Sequence, residues 1–158
     1  MKTAKQIVHR LLEGVDDPDA IIGALPSWND VQRRSILCGG AKSKVDAVHV
    51  VLSTLEDILP ELKNKLKPAD SWLLDAVDLA RDYVQSPTSD NEALAFDLCG
   101  IMATVEFAFY DRHDNEEWAR AAFACLFYAL YCIADTADAF RSYAKDSLRN
   151  ADTLAREL

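Results

Sequence analysis

Ala121-Ala-Phe-Ala-Cys-Leu-Phe-Tyr-Ala-Leu-Tyr-Cys-Ile-Ala134 carries no charge, no glycine and no proline. It also lacks the polar–apolar alternation of a half-buried strand. A helix with no polar face escapes water only when other helices surround it. The stretch therefore predicts an all-α fold, a single-domain helical bundle with this segment as its central apolar helix. A bilayer's hydrocarbon core needs about 20 apolar residues in a row, and this run of 14 falls short.

Outward from that core, helix starts and stops are legible. Asp114 with Glu117 predicts the start of one long helix, from Asn115 to about Leu148, preceded by a polar turn over Asp111–Asn115. Upstream, Ser89 and Glu92 read as a capping box, in which each side chain satisfies a free backbone N–H. The helix behind it is strongly apolar, lined by Leu94, Leu98, Ile101, Met102, Val105 and Phe109, with Ala95 and Cys99 beside them. Ser71 to Gln85 predicts another helix, capped by Asp70 or Ser71, with Leu73, Ala76, Val77, Ala80 and Val84 inward. Before it, Val45, Val48, Leu52, Leu55, Leu59, Leu62 and Leu66 alternate spacings of three and four, a heptad seam for shallow helix–helix packing. Ser43 with Asp46 opens that helix, and Pro60 within it is expected to kink or restart it.

Toward the N-terminus, Thr3 and Gln6 form a capping box ahead of Ile7, Val8, Leu11 and Leu12. Asp17-Pro18 opens a short helix carrying Ile21, Ile22 and Leu25. Ser27 caps a third, with Trp28, Val31, Ile36 and Leu37, and Gly39-Gly40 breaks it. The whole chain, 1–158, thus reads as one domain of six to seven helices. Its length fits one core and hardly two.

The formal net charge is −9 and half of the residues are hydrophobic. An acidic surface repels nucleic acid and anionic membranes and attracts basic proteins. No apolar leader opens the sequence, so the expected location is cytoplasmic. Cys38, Cys99, Cys125 and Cys132 lie in apolar segments without a C-x-x-C pair. They read as buried free thiols of a reducing compartment.

No catalytic motif emerges. G-x-S-x-G is absent, and Gly39-Gly40-Ala-Lys42 lacks the spacing and the preceding strand of a phosphate loop. Asp46-x-x-His49 has the carboxylate–imidazole spacing of di-iron bundles, but no second acid-x-x-His pair accompanies it. Asp135 and Asp138 form a pair on the expected long helix that could hold magnesium only with a phosphate-cradling loop nearby. The expected cofactor and metal complement is none. Trp28, Trp72 and Trp118 lie near helix starts, where an indole seals a core edge.

Two acidic groups remain as candidate partner-binding residues. Asp75, Asp78 and Asp82 recur at i, i+3 and i+7, so they share one helix face. They are either solvated surface or a docking stripe, and the stripe is expected to stand un-neutralised at Asp75 and Asp78. Asp111, Asp114, Glu116 and Glu117 surround a helix start. Carboxylates there complement the positive end of the helix dipole, which accounts for most of the cluster.

From Val45 to Lys145 the layout resembles a family of helical immunity proteins from bacterial polymorphic-toxin systems. The likeness lies in Leu55-Glu-Asp-Ile-Leu-Pro60-Glu-Leu, then Trp72, then Asp75-Ala-Val-Asp-Leu-Ala-Arg-Asp-Tyr83. The chain departs from the family by being richer in Phe, Tyr and Cys where the family tends to alanine. The resemblance implies a non-enzymatic inhibitor that binds and neutralises a toxin, with no residue-by-residue transfer of roles. Acidity suits such a protein, because charge complementarity speeds encounter with a basic partner. The same logic fits a phage-encoded acidic inhibitor of a host nucleic-acid-targeting defence complex. A third alternative is a helical metal-dependent hydrolase using the paired aspartates.

Overall fold

The computed structural model describes residues 43–135 and 139–158. Every described element is helical: α1 (Lys44–Lys65), a 3-10 turn (Pro68–Asp70), α2 (Ser71–Gln85), α3 (Ser89–Arg112), α4 (Glu117–Ala134) and α5 (Phe140–Glu157). The three helices expected before Ser43, with Trp28 and Cys38, lie outside the described residues.

The apolar run sits in α4, where Cys125, Leu130, Cys132 and Ile133 are fully buried. This helix touches all four other described helices, as a segment without a polar face must. It does not extend to Leu148. Asp135 leaves the helix with extended backbone (φ −63°, ψ 130°), and its carboxylate accepts the N–H of Ala139 at 2.7 Å just before α5. The expected long helix is therefore two helices that pack on each other. The turn lets the apolar face of α5 (Ala144, Leu148, Ala151, Leu154) cover α4 instead of projecting past it. Asp135 is accordingly no member of a helical aspartate pair, and Asp138 lies outside the described residues.

The α1 seam is largely buried, with Val45 and Leu66 half-buried at its ends. Pro60 does not split it, since α1 is one helix through Lys65. Its start follows the expected pattern, Ser43 Oγ accepting the Asp46 N–H at 3.2 Å. Two other starts differ from the expected ones. Thr88, not Ser89, caps α3, accepting the Asn91 N–H at 3.2 Å. The α4 N-cap is Glu116, not Asp114, because Asp114 and Asn115 adopt left-handed backbone (φ 56° and 55°) that closes the preceding helix. The Asn115 N–H then reaches the carbonyl of Tyr110 at 2.8 Å.

Two polar contacts fasten this frame. Lys44 Nζ donates to Glu92 Oε2 (2.8 Å) and to the carbonyls of Ile133 (2.7 Å) and Asp135 (2.6 Å). One cation thus joins the start of α1, the first turn of α3 and the C-terminal end of α4, where it also complements the helix dipole. At the opposite end of α3, fully buried Asp70 accepts the Lys67 N–H (2.8 Å), Arg112 Nε (2.9 Å) and Nη2 (2.8 Å). His113 Nε2 stands 2.7 Å from its second oxygen. A carboxylate only accepts, so Nε2 carries the proton.

Candidate functional site

Asp75, Asp78 and Asp82 are all exposed on one side of α2. The stripe is not free of neutralisation, however. Arg81 Nη1 lies 3.0 Å from Asp78 Oδ1, while its Nε donates to Glu56 of α1 at 2.9 Å. The i, i+3 spacing places Arg81 beside Asp78, and Glu56 holds the guanidinium there. Its neighbouring carboxylates raise the Arg81 pKa, foremost through the Glu56 hydrogen bond.

Asp111, Asp114, Glu116 and Glu117 are exposed around the turn from α3 to α4. Asp114 serves the turn through its backbone conformation, and Glu116 Oε2 accepts the Trp118 indole N–H at 2.6 Å. Glu117 sits in the first turn of α4, where the helix dipole favours it. Asp70 ties the start of α2 to the end of α3, so this cluster and the start of the α2 stripe lie at the same end of the bundle.

An open cleft of about 170 Å³ at that end is lined by Lys65, Lys67, Arg112 and Glu116 among others. Its cations already have partners. Lys67 Nζ donates to the Arg112 carbonyl at 2.9 Å, Lys65 lies over the Trp118 ring, and Arg112 holds Asp70. His113 is walled by Phe109 and Trp118, with ring centroids 5.1 Å and 4.7 Å away. Among the described residues no hydroxyl or thiol hydrogen-bonds to it, and no group of three or more His, Cys, Asp or Glu is placed to hold a metal ion. Cys99, Cys125 and Cys132 are buried. Burial pushes the Cys99 thiol up to about 11 and Cys125 to about 12.

The feature that the sequence reading missed is the outward side of α3. Leu98, Val105, Met102 and Phe109 do face inward, but Leu94 and Ile101 do not. Leu94 (54%), Phe96 (65%), Ile101 (53%) and Phe107 (73%) are the large apolar side chains left open to solvent among the described residues. The polar stripe of α3, Asp90, Asp97, Thr104 and Asp111 at spacings of seven, is narrow. Large apolar residues flank it on both sides, so apolar periodicity did not say which half is covered. From Phe107 a series of ring contacts leads into the core. Tyr110 (6.3 Å), Phe123 (5.7 Å), Phe127 (5.5 Å), Tyr131 (4.8 Å) and Tyr143 (5.5 Å) follow in turn. Tyr110 and Phe123 are buried, and Phe127, Tyr131 and Tyr143 are half-buried.

By length and composition α3 and α4 could each cross a membrane. In α4 that apolar surface is mostly spent on the core, in α3 mostly not. No family model, curated protein or solved structure matches the chain.

Proposed function

We propose that the chain, as a single helical domain of six to seven helices over 1–158, works by binding and inhibiting a partner protein, as a toxin immunity protein does. The observation that carries this reading is the exposed apolar side of α3, where Leu94, Phe96, Ile101 and Phe107 stand open to solvent. Contiguous apolar surface on a globular protein marks an interaction site, and aromatic side chains are enriched in such interfaces. The acidic residues supply the second part. Asp75, Asp82 and the charges around Asp111 and Glu117 are exposed, and with a net charge of −9 they favour a basic partner. No catalytic role is assigned to any residue, and the protein acts by occupying its partner's surface inside the cell.

The test uses the tagged full-length chain as bait in its source cell. Captured proteins are purified, and their activity is measured with and without the chain. The expected result is stoichiometric inhibition by the wild type and weaker inhibition by Phe96→Ser/Phe107→Ser. Captured proteins whose activities never change would defeat the reading, as would turnover of a substrate by the chain itself.

A further inference from the structure

The exposed side of α3 has an internal order. At about 100° per residue, Phe96, Ala103 and Phe107 fall on one ridge and Leu94 and Ile101 on another. Between the ridges lie Ala93, Asp97, Gly100, Thr104 and Ala108, all exposed and all short. They floor a shallow groove along the helix. A Cβ added at Gly100 would meet nothing within 4 Å, so no neighbour in the described fold requires glycine there. Glycine inside a helix is destabilising relative to alanine. Its common compensation is close approach by another backbone.

Asp90, Asp97 and Asp111 stand in one register of seven along this groove, with Thr104 filling the fourth place. Seven residues of helix span about 10.5 Å. The three carboxylates are exposed, and no ion pair engages them among the described residues. They are also the only charged side chains exposed on α3.

We propose that this groove receives an amphipathic α-helix of a partner protein, with apolar residues at heptad spacing and Lys or Arg recurring every seventh residue to meet the aspartates. This rests on the inhibitor reading above and adds the chemistry of the partner. A helix fits because the floor is small, the ridges are straight and the acidic register is seven. Helices crossing at about 20° keep heptad positions in step over several turns. A basic helix fits because every exposed charge on α3 is Asp. A second copy of the chain would set aspartate against aspartate, and an anionic lipid surface would meet the same repulsion. On the first ridge Phe96 and Phe107 are open to solvent and offer aromatic anchors to an incoming apolar residue.

The test uses the full-length chain and a synthetic three-heptad peptide with leucine at the seam and one lysine per heptad. Controls are the same composition scrambled and the peptide with glutamate for lysine. Fluorescence anisotropy reads the affinity at two salt concentrations. Both control peptides should bind roughly tenfold more weakly, and Phe96→Ser/Phe107→Ser should cost a similar factor. Asp90→Asn/Asp97→Asn/Asp111→Asn should flatten the salt dependence, whereas Asp75→Asn/Asp78→Asn/Asp82→Asn should not. Equal binding of the scrambled peptide, or loss only in the α2 variant, overturns the proposal. So does no binding at all, the outcome expected if residues 1–42 of the chain itself cover the groove. A dimer that dissociates on Phe96→Ser/Phe107→Ser would assign the groove to a second copy, and capture by zwitterionic vesicles would assign it to lipid. A chain that inhibits its captured partner yet ignores the probe sinks this inference and leaves the inhibitor reading standing. Probe binding without inhibition of any captured protein does the reverse.

Discussion

Asp70 shows how one side chain can set local geometry and pH response together. Burial alone would raise its pKa, but the Lys67 amide, His113 and Arg112 outweigh that and hold it below its ordinary 3.8. A lowered folded pKa means stabilisation that is complete above the ordinary carboxylate range and lost as pH falls through the lowered value. Asp70→Asn should therefore cost roughly 2–4 kcal/mol near neutral pH, because it leaves His113 and Arg112 facing a neutral amide. The wild type's advantage should shrink as the pH of thermal melts is taken below the carboxylate range. A constant gap down to strong acid would show that Asp70 acts through shape alone. The thiols give a second test at this scale. Burial raises Cys99 and Cys125 far above neutrality, so the native protein should resist alkylation at both sites until it unfolds. Mass-spectrometric mapping of iodoacetamide adducts reads this directly, and fast native labelling at Cys125 would contradict its full burial.

Each helix divides its residues between core and solvent differently, and α3 provides the sharpest contrast. Phe107 and Phe109 are two residues apart, yet one is 73% exposed and the other fully buried. Phe109→Ala should cost about 3–5 kcal/mol from lost burial and the cavity left behind. Phe107→Ser should leave the melting temperature nearly unchanged. Equal losses in urea unfolding would mean that the outward side of α3 is covered in the folded chain. In α4 most of the apolar run belongs to the core, and Leu130→Asp should unfold the protein or render it insoluble. An unpaired carboxylate in a fully buried position costs several kcal/mol, a large share of a typical stability of roughly 5–15 kcal/mol.

At the scale of the molecule, charge governs encounter more than stability. Asp75, Asp78 and Asp82 are exposed, and salt screens such charges over about 8 Å at physiological ionic strength. Replacing all three by Asn should leave folding nearly intact while slowing association with the inhibited partner and weakening its salt dependence. Arg81 already offsets Asp78, so Asp75→Asn and Asp82→Asn should account for most of the change. Stopped-flow rates at two salt concentrations measure this. An unchanged rate would make the α2 stripe ordinary solvated surface and leave recognition to α3.

The sequence by itself determined that the described part of the chain is helical, that Ala121–Ala134 lies in the core, where α1 begins, and where α2 begins and ends. Those properties follow from local causes: heptad spacing in Val48–Leu62, a side-chain cap at Ser43, and an uncharged run that water cannot accommodate. It also marked Asp111–Glu117 as a helix-start cluster, although the backbone of Asp114 and Asn115 moved the cap itself to Glu116. Tertiary structure decided the rest. Residues 115–148 contain no proline or glycine, so local propensity favours one long helix, and only packing of α5 on α4 repays the break at Asp135. Asp70 does hold the N-cap position of α2, but its carboxylate goes to Arg112 and His113, more than forty residues away in sequence. The open side of α3 was illegible for a related reason. Large apolar residues flank its narrow aspartate stripe on both sides, so the covered half shows only when its neighbours are counted, and within the described fold α2 and α4 supply its main contacts.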